Sequence, residues 1–229
     1  MANANRYAML LSSLPYHGRL FGATQTPLSR IRLDQRLAQL APADAECLRH
    51  VRRLAEWAQQ DVEDSDAQVV ARIERSLGHI GHAGVRDLVI RRLELRTLVA
   101  ALRRRHRGEP APRDRHWGYG RWVGWIGRHW NEPEFGLARA FSWLPEAKRL
   151  LERGASADLE RLLASVAWNQ LEQASDGHHF DFAAVAIYAL RWDMIASWTS
   201  YDGEGAIERF DELIAAASRP MPIGDLGPF

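Results

Sequence analysis

An all-α fold is what this sequence predicts, a compact bundle of about eight to ten helices. Three observations lead there. Apolar residues recur at the helical period in nearly every segment. Cap residues, first-turn prolines and glycine stops divide the chain at helical lengths. Strand signals are almost absent. The 229 residues suffice for one large or two small domains, and 46% apolar with 26% charged residues is a globular composition. We read two related helical units, 1–112 and 113–229, packed as one body, with an extended tail at 218–229 where Pro220, Pro222 and Pro228 gather.

In chain order, residues 7–14 read as a short strand or a helical turn ending at Pro15. Thr26 and Pro27 read as an N-cap and first helical residue, opening a helix through Ile31, Leu33, Leu37 and Leu40. Pro42 begins another, with Leu48, Val51, Leu54 or Ala55, and Ala58 on one face. Ser65 or Asp66 caps the next, which carries Val69, Val70, Ile73, Leu77 and Ile80. GHIGHAG follows as a helix-to-helix turn. His79 and His82 have no Glu or Cys at a partner spacing, so no metal site is expected there.

The stretch DLVIRRLELRTLVAALRRRHRG, residues 87–108, reads as one long helix on Leu88, Leu95, Leu98 or Val99, and Leu102, with Arg92, Arg96 and Arg103 between them. Its last turn is cationic: Arg103, Arg104, Arg105, His106 and Arg107 oppose the negative end of the helix dipole. Gly108 and Pro110 stop it. A solvated basic tip is the plain reading of those arginines.

Nine tryptophans is a high count, and Trp117, Trp122, Trp125 and Trp130 cluster among Arg113, Arg115, Arg121 and Arg128. Trp122, Trp125 and His129 share a helical face, which favours a hydrophobic collar closing the core. A protein-binding surface comes next, and a stacking surface for bases or sugars after that. Asn131 then caps a helix with Pro133 in its first turn, running through Phe135, Leu137, Ala138, Phe141 and Leu144 and broken or kinked by Pro145. Ser156 caps another, facing inward through Leu159, Leu162, Leu163, Val166 and Leu171. SDGHHFD is a turn ending in Asp181, an N-cap for a helix so apolar through Ile195 that it must lie centrally. A last amphipathic helix is expected around 206–217.

Several function classes recede on these grounds. Thirty basic against 29 acidic residues, net +1, lacks the basic excess of a generic nucleic-acid binder. A single cysteine, Cys47, excludes an internal disulfide and reads as a small buried side chain. The apolar core of the opening stretch is too short for a signal peptide, and no run approaches the roughly 20 residues of a membrane span. No nucleophile motif, P-loop or recognisable metal spacing is present, so no catalytic residue, cofactor or metal is expected.

One further pattern links the two ends. Beside RRLELRTLV at 91–99 stands LRWDMIASW at 190–198, which pairs Arg92 with Arg191, Leu93 with Trp192 and Glu94 with Asp193. ELRTLVAALRRRHRG resembles the helix of the V/A-type (vacuolar/archaeal-type) ATPase C subunit, called d in eukaryotes, in which an acidic residue and a Leu-Leu step precede a basic stretch and glycine. FDFAAVAIYALRWDMIASW is similar to that family's closing helices. RYAMLLSSLP with TPLSRIRLDQRL resembles a shorter uncharacterised bacterial family encoded beside the genes of V/A-type ATPases. The C subunit is longer, with three similar helical units where two are visible here, and Leu95 stands where a polar residue is usual.

The resemblance implies a non-enzymatic adaptor, cytoplasmic and peripheral on the membrane, joining the central rotor stalk to the proteolipid ring. Its partners would be the proteins of that stalk and ring, with no nucleic acid and no membrane span of its own. Arg103, Arg104, Arg105 and Arg107, with Trp117 and Trp122, are the residues expected to meet them. The alternatives are a helical enzyme using Asp176, Asp181, His178 and His179 for hydrolysis or metal binding, or a Trp/Arg nucleic-acid or carbohydrate module.

Overall fold

A computed structural model describes the backbone of residues 2–56 and 65–217 and the side chains of residues 5–56 and 65–200. The fold is all-α. Among the described residues there are nine α-helices and no strand: α1 (Ala2–Ser12), α2 (Arg30–Leu37), α3 (Pro42–Ala55), α4 (Asp66–Gly78), α5 (Ala83–His106), α6 (Val123–Arg128), α7 (Leu144–Glu152), α8 (Ser156–Ser175) and α9 (Phe182–Ala217). Short 3-10 turns occupy Leu20–Gly22 and Pro133–Gly136.

Two helices organise the rest. α5 packs on α3, α8, α7 and α9, while α9 packs on α8, α3, α1 and the first 3-10 turn. Val85, Leu88, Val89 and Leu93 of α5 join α1 to α4 and the start of α9 in one apolar cluster. Leu95, Leu98, Val99, Ala101 and Leu102 join the tryptophan-rich segment, α7 and α8 in a second. α5 therefore belongs to both halves of the core. A small third cluster (Leu20, Trp168 and Ile195) pins the first 3-10 turn to α8 and α9.

Local chemistry explains most boundaries. Ser65 and Gln68 form a reciprocal capping box on α4, and Pro42 sits in the first turn of α3. The Glu109 amide donates to the Arg104 carbonyl (3.0 Å) while Gly108 takes φ +76°, a left-handed stop for α5. Asp181 accepts from the Ala184 amide at 2.9 Å, which is the expected N-cap of α9.

The structure departs from the sequence reading in several places. Residues 7–14 belong largely to a full helix, α1. α2 starts at Ser29, which accepts from the Arg32 amide, rather than at Thr26. The preceding residues are held outside the helix, because the Trp192 indole N–H donates to the Leu28 carbonyl (2.9 Å). No helix runs from Asn131 to Leu144. Glu134 and Phe135 take φ +45° and +58°, which turns Phe135 fully into the core. Such conformations cost about 1–2 kcal/mol each, and burial of the aromatic side chain, worth a similar amount, offsets them.

Pro145 opens α7 rather than breaking a helix, since a first-turn residue needs no amide hydrogen. Ala155, not Ser156, occupies the cap position of α8. Finally, α9 is continuous through Ala217, so the two helices expected there are one. Gly203 and Gly205 weaken a helix by about 1 kcal/mol each but, unlike proline, leave its hydrogen bonds intact. Ala58 and the tail at 218–229 lie outside the described residues.

Candidate functional site

The strongest local construction lies where α5 meets the tryptophan-rich segment. Glu94 and Thr97 are buried polar residues one turn apart on α5. The Glu94 carboxylate accepts the Arg121 amide at 3.0 Å and lies 3.7 Å from its guanidinium. Thr97 Oγ1 accepts the Tyr119 amide (2.9 Å) and lies 2.8 Å from the Tyr119 carbonyl and 3.1 Å from that of Leu93. The strap Trp117-Gly118-Tyr119-Gly120-Arg121 is thereby fastened along the helix. Two glycines make this possible: a Cβ at Gly118 would stand 2.7 Å from Thr97 Cγ2, and one at Gly120, where φ is +103°, would overlap Glu94 Cγ.

Two of the four tryptophans here turn inward, whereas Trp122 is half-buried and Trp125 is exposed. Trp117 and Trp130 are buried and meet edge to face at 6.5 Å. Trp122 packs edge-on against Phe141, and Trp125 stacks on His129 while donating to the Phe135 carbonyl (2.9 Å). The collar expected on Trp122, Trp125 and His129 is found only in part, since Trp125 is exposed and the other two are half-buried, while Trp117 and Trp130 fill the core. Trp117, expected at a partner surface, is 6% exposed and is a core residue instead. Trp122 is half-buried at the surface.

The basic tip divides in the same way. Arg105 donates to the Glu132 and Trp130 carbonyls (2.6 and 3.2 Å) and lies 4.3 Å over the Phe135 ring, so it closes the loop beneath it. Burial pulls its pKa down, against the charges of Glu134 and Glu152. Arg104 reaches Asp66 at 2.7 Å and the Trp117 face at 5.7 Å, while Arg107 pairs with Glu109 at 2.6 Å. Arg103 points elsewhere, to the wall of a broad groove.

That groove, about 1050 Å³, runs between α2, α3, α5, α8 and α9. Its floor is apolar, with Leu48, Leu88, Leu163, Leu171, Leu190 and Trp198. Arg30, Arg49, Arg52, Arg53, Arg92 and Arg103 line it against four carboxylates, Asp34, Glu56, Glu160 and Asp193. Arg52 forks onto Asp193 of α9, with Nε to Oδ2 at 2.7 Å, and lies 3.7 Å from Asp34. Burial opposes the charge of Arg52, but the Asp193 hydrogen bond and the charges of Asp193, Asp34 and Glu56 outweigh it and raise its pKa. Arg92 shows the opposite balance: burial, then the charge of Arg96, lowers it to about 10. Among the described residues, neither Arg53 nor Arg103 forms an ion pair.

A family model for a protein of unknown function (DUF2764) matches residues 125–219. No curated protein and no solved structure matches the chain. The matched segment runs from within α6 to just past α9, so it includes Asp193 and Trp198 on the groove but not α5.

The histidine and aspartate residues of the enzyme alternative are only partly brought together. His178 Nδ1 lies 2.5 Å from Asp181 Oδ2, the other oxygen of which caps α9, while His179 and Asp176 are exposed. Burial raises and the His178 contact lowers the Asp181 pKa, with a net fall. The Arg52–Asp193 fork was not foreseen from sequence, because it joins residues 141 positions apart. The i,i+4 spacing of Glu46 and His50 on α3 was readable, but its partner His79 on α4 was not.

Proposed function

We propose that this protein is a non-catalytic adaptor of a V/A-type ATPase, seated between the central rotor stalk and the proteolipid ring. The observation that carries the reading is the groove, whose apolar floor and arginine-rich wall suit the foot of a charged helical shaft. Arg103 and Arg53 are the cations there that no described carboxylate neutralises, so they would carry the contact. The resemblance of α5 and α9 to the ATPase C subunit points to the same partner. A torque coupler also needs a body that does not yield, and α5, shared by both apolar clusters, provides one.

Among the described residues no helix is long and apolar enough to cross a membrane, so attachment would come through the ring proteins. The test is a pull-down of the tagged chain at near-native expression in mild detergent, read by mass spectrometry. Recovery of the catalytic, stalk and ring components in fixed ratio is expected. Arg103→Glu with Arg53→Glu should abolish that recovery while leaving the circular dichroism and melting curve of the isolated protein unchanged. Absence of all ATPase components from the wild-type eluate would overturn the reading. Undiminished recovery with the double variant would move the contact off the groove.

A further inference from the structure

On the side of α3 near its contact with α4, three ligand-bearing side chains converge. Glu46 and His50 lie one turn apart on α3, and His79 ends α4. One ligand atom from each lies within 4.8 Å of the others. The two imidazoles are nearly parallel, with centroids 4.6 Å apart. His50 Nδ1 is buried without a hydrogen-bond partner. A buried ring nitrogen left in that state costs stability unless something occupies it.

Burial, followed by the charges of His79, Arg49 and Arg53, holds His50 below its ordinary pKa, against the weaker pull of Glu46. We propose that Glu46, His50 and His79 form a binding site for a divalent late first-row transition metal, of which zinc is the natural probe.

Two imidazoles and one carboxylate are a donor set that such ions accept, leaving one position open. Bonds of about 2.0–2.1 Å to a tetrahedral ion place ligand atoms roughly 3.3 Å apart. The three atoms must therefore close in somewhat, and Glu46 and His79, both exposed, have the rotamer freedom to do so. Closing also tilts the parallel rings so that their lone pairs meet.

The surroundings define the fourth ligand. A cavity of about 310 Å³ adjoins the two histidines, lined also by Arg53, Arg72, Arg75 and Ser76. Arg49 reaches Glu46 at 3.8 Å. Those guanidinium groups oppose a bare cation, so the open position takes an anion, hydroxide or a small oxyanion, rather than neutral water. This site shares Arg49 and Arg53 with the groove, but its three ligands line no part of the groove, so it stands whether or not the adaptor reading does.

The experiment uses tag-free full-length protein stripped with a chelator. Zinc is titrated in competition with a chromophoric chelator, and cobalt(II) is read by its visible d–d absorption. About one equivalent should bind at ~1 µM or tighter, with tetrahedral cobalt bands. His50→Gln and His79→Gln should each weaken binding on the order of a hundredfold, and Glu46→Gln on the order of tenfold. His82→Gln and His178→Gln should bind as wild type, and circular dichroism should show every variant folded. Zinc binding that survives His50→Gln combined with His79→Gln, or no stoichiometric binding in the wild type, overturns the proposal.

Discussion

α5 and α9 carry the same short pattern, arginine, then an apolar residue, then a carboxylate, and use it differently. On α5 the carboxylate, Glu94, is buried and spends its hydrogen bond on a loop amide, so it fastens a strap against the helix that bears it. On α9 the carboxylate, Asp193, stays partly open to solvent, and a guanidinium from α3 takes it at the groove edge. The apolar residue between follows suit. Leu93 disappears into the core, whereas Trp192, though buried, sends its indole N–H to the Leu28 carbonyl and holds the entry to α2. A like sequence therefore does two jobs: local fastening in one helix, helix-to-helix tethering beside a binding surface in the other.

The sharpest way to break the contrast is Gly120→Ala. A methyl group there overlaps Glu94 at a positive φ that alanine disfavours, and we expect a loss of about 3 kcal/mol in urea unfolding. A loss under about 1 kcal/mol would mean that the strap yields freely and that Glu94 fastens nothing. Asp193→Asn comes next. It leaves Arg52 with the more distant Asp34 and the charge of Glu56, at an expected cost of about 2 kcal/mol, and should leave the tryptophan fluorescence of the Trp117–Trp130 segment unchanged. An altered signal there would show that the two regions are coupled.

Acid should distinguish the helices further. His17 Nε2 lies 3.0 Å from the Tyr188 carbonyl on α9, and burial, opposed by that contact, lowers its pKa to about 4. Between about pH 6.5 and 4 the unfolded chain binds the proton and the folded chain does not, so stability falls as pH falls through that window. The contribution is on the order of 1 kcal/mol after screening, and His17→Gln should flatten the slope of stability against pH there. The smallest effect is expected from Arg104→Ala, about 0.5–1 kcal/mol, because its Asp66 partner is half-exposed and its contact with the Trp117 face is long. Thermal melts at low and high salt would show it.

Much of this architecture was legible in the residues. The period of α5, the Ser65 and Asp181 caps and the central place of α9 follow from apolar spacing and from side chains that reach only two or three residues along. What was not legible depends on distant partners. Phe135 has no local reason to adopt a left-handed backbone; it does so because the core opposite Arg105 and Trp130 needs a ring. Thr26 lost the cap of α2 to Ser29 because an indole from α9 claims the carbonyl between them. At the candidate site the arginines were visible but their division was not. Only the fold shows Arg105 turned onto loop carbonyls and Arg103 onto the groove.

The position of α9 also bears on how the chain is made. Phe182, Val185, Ala186, Ala189 and Trp192 complete the same apolar cluster that α1 to α4 begin. A ribosome adding about 5–20 residues per second delivers them roughly 5–20 s after α5 has emerged. Throughout that interval the nascent first half lacks the α9 cover of its apolar cluster, and exposed apolar surface of this kind is what holdase chaperones recognise. Synthesis paused before α9 should leave the chain chaperone-bound, and release should coincide with the arrival of the last helix.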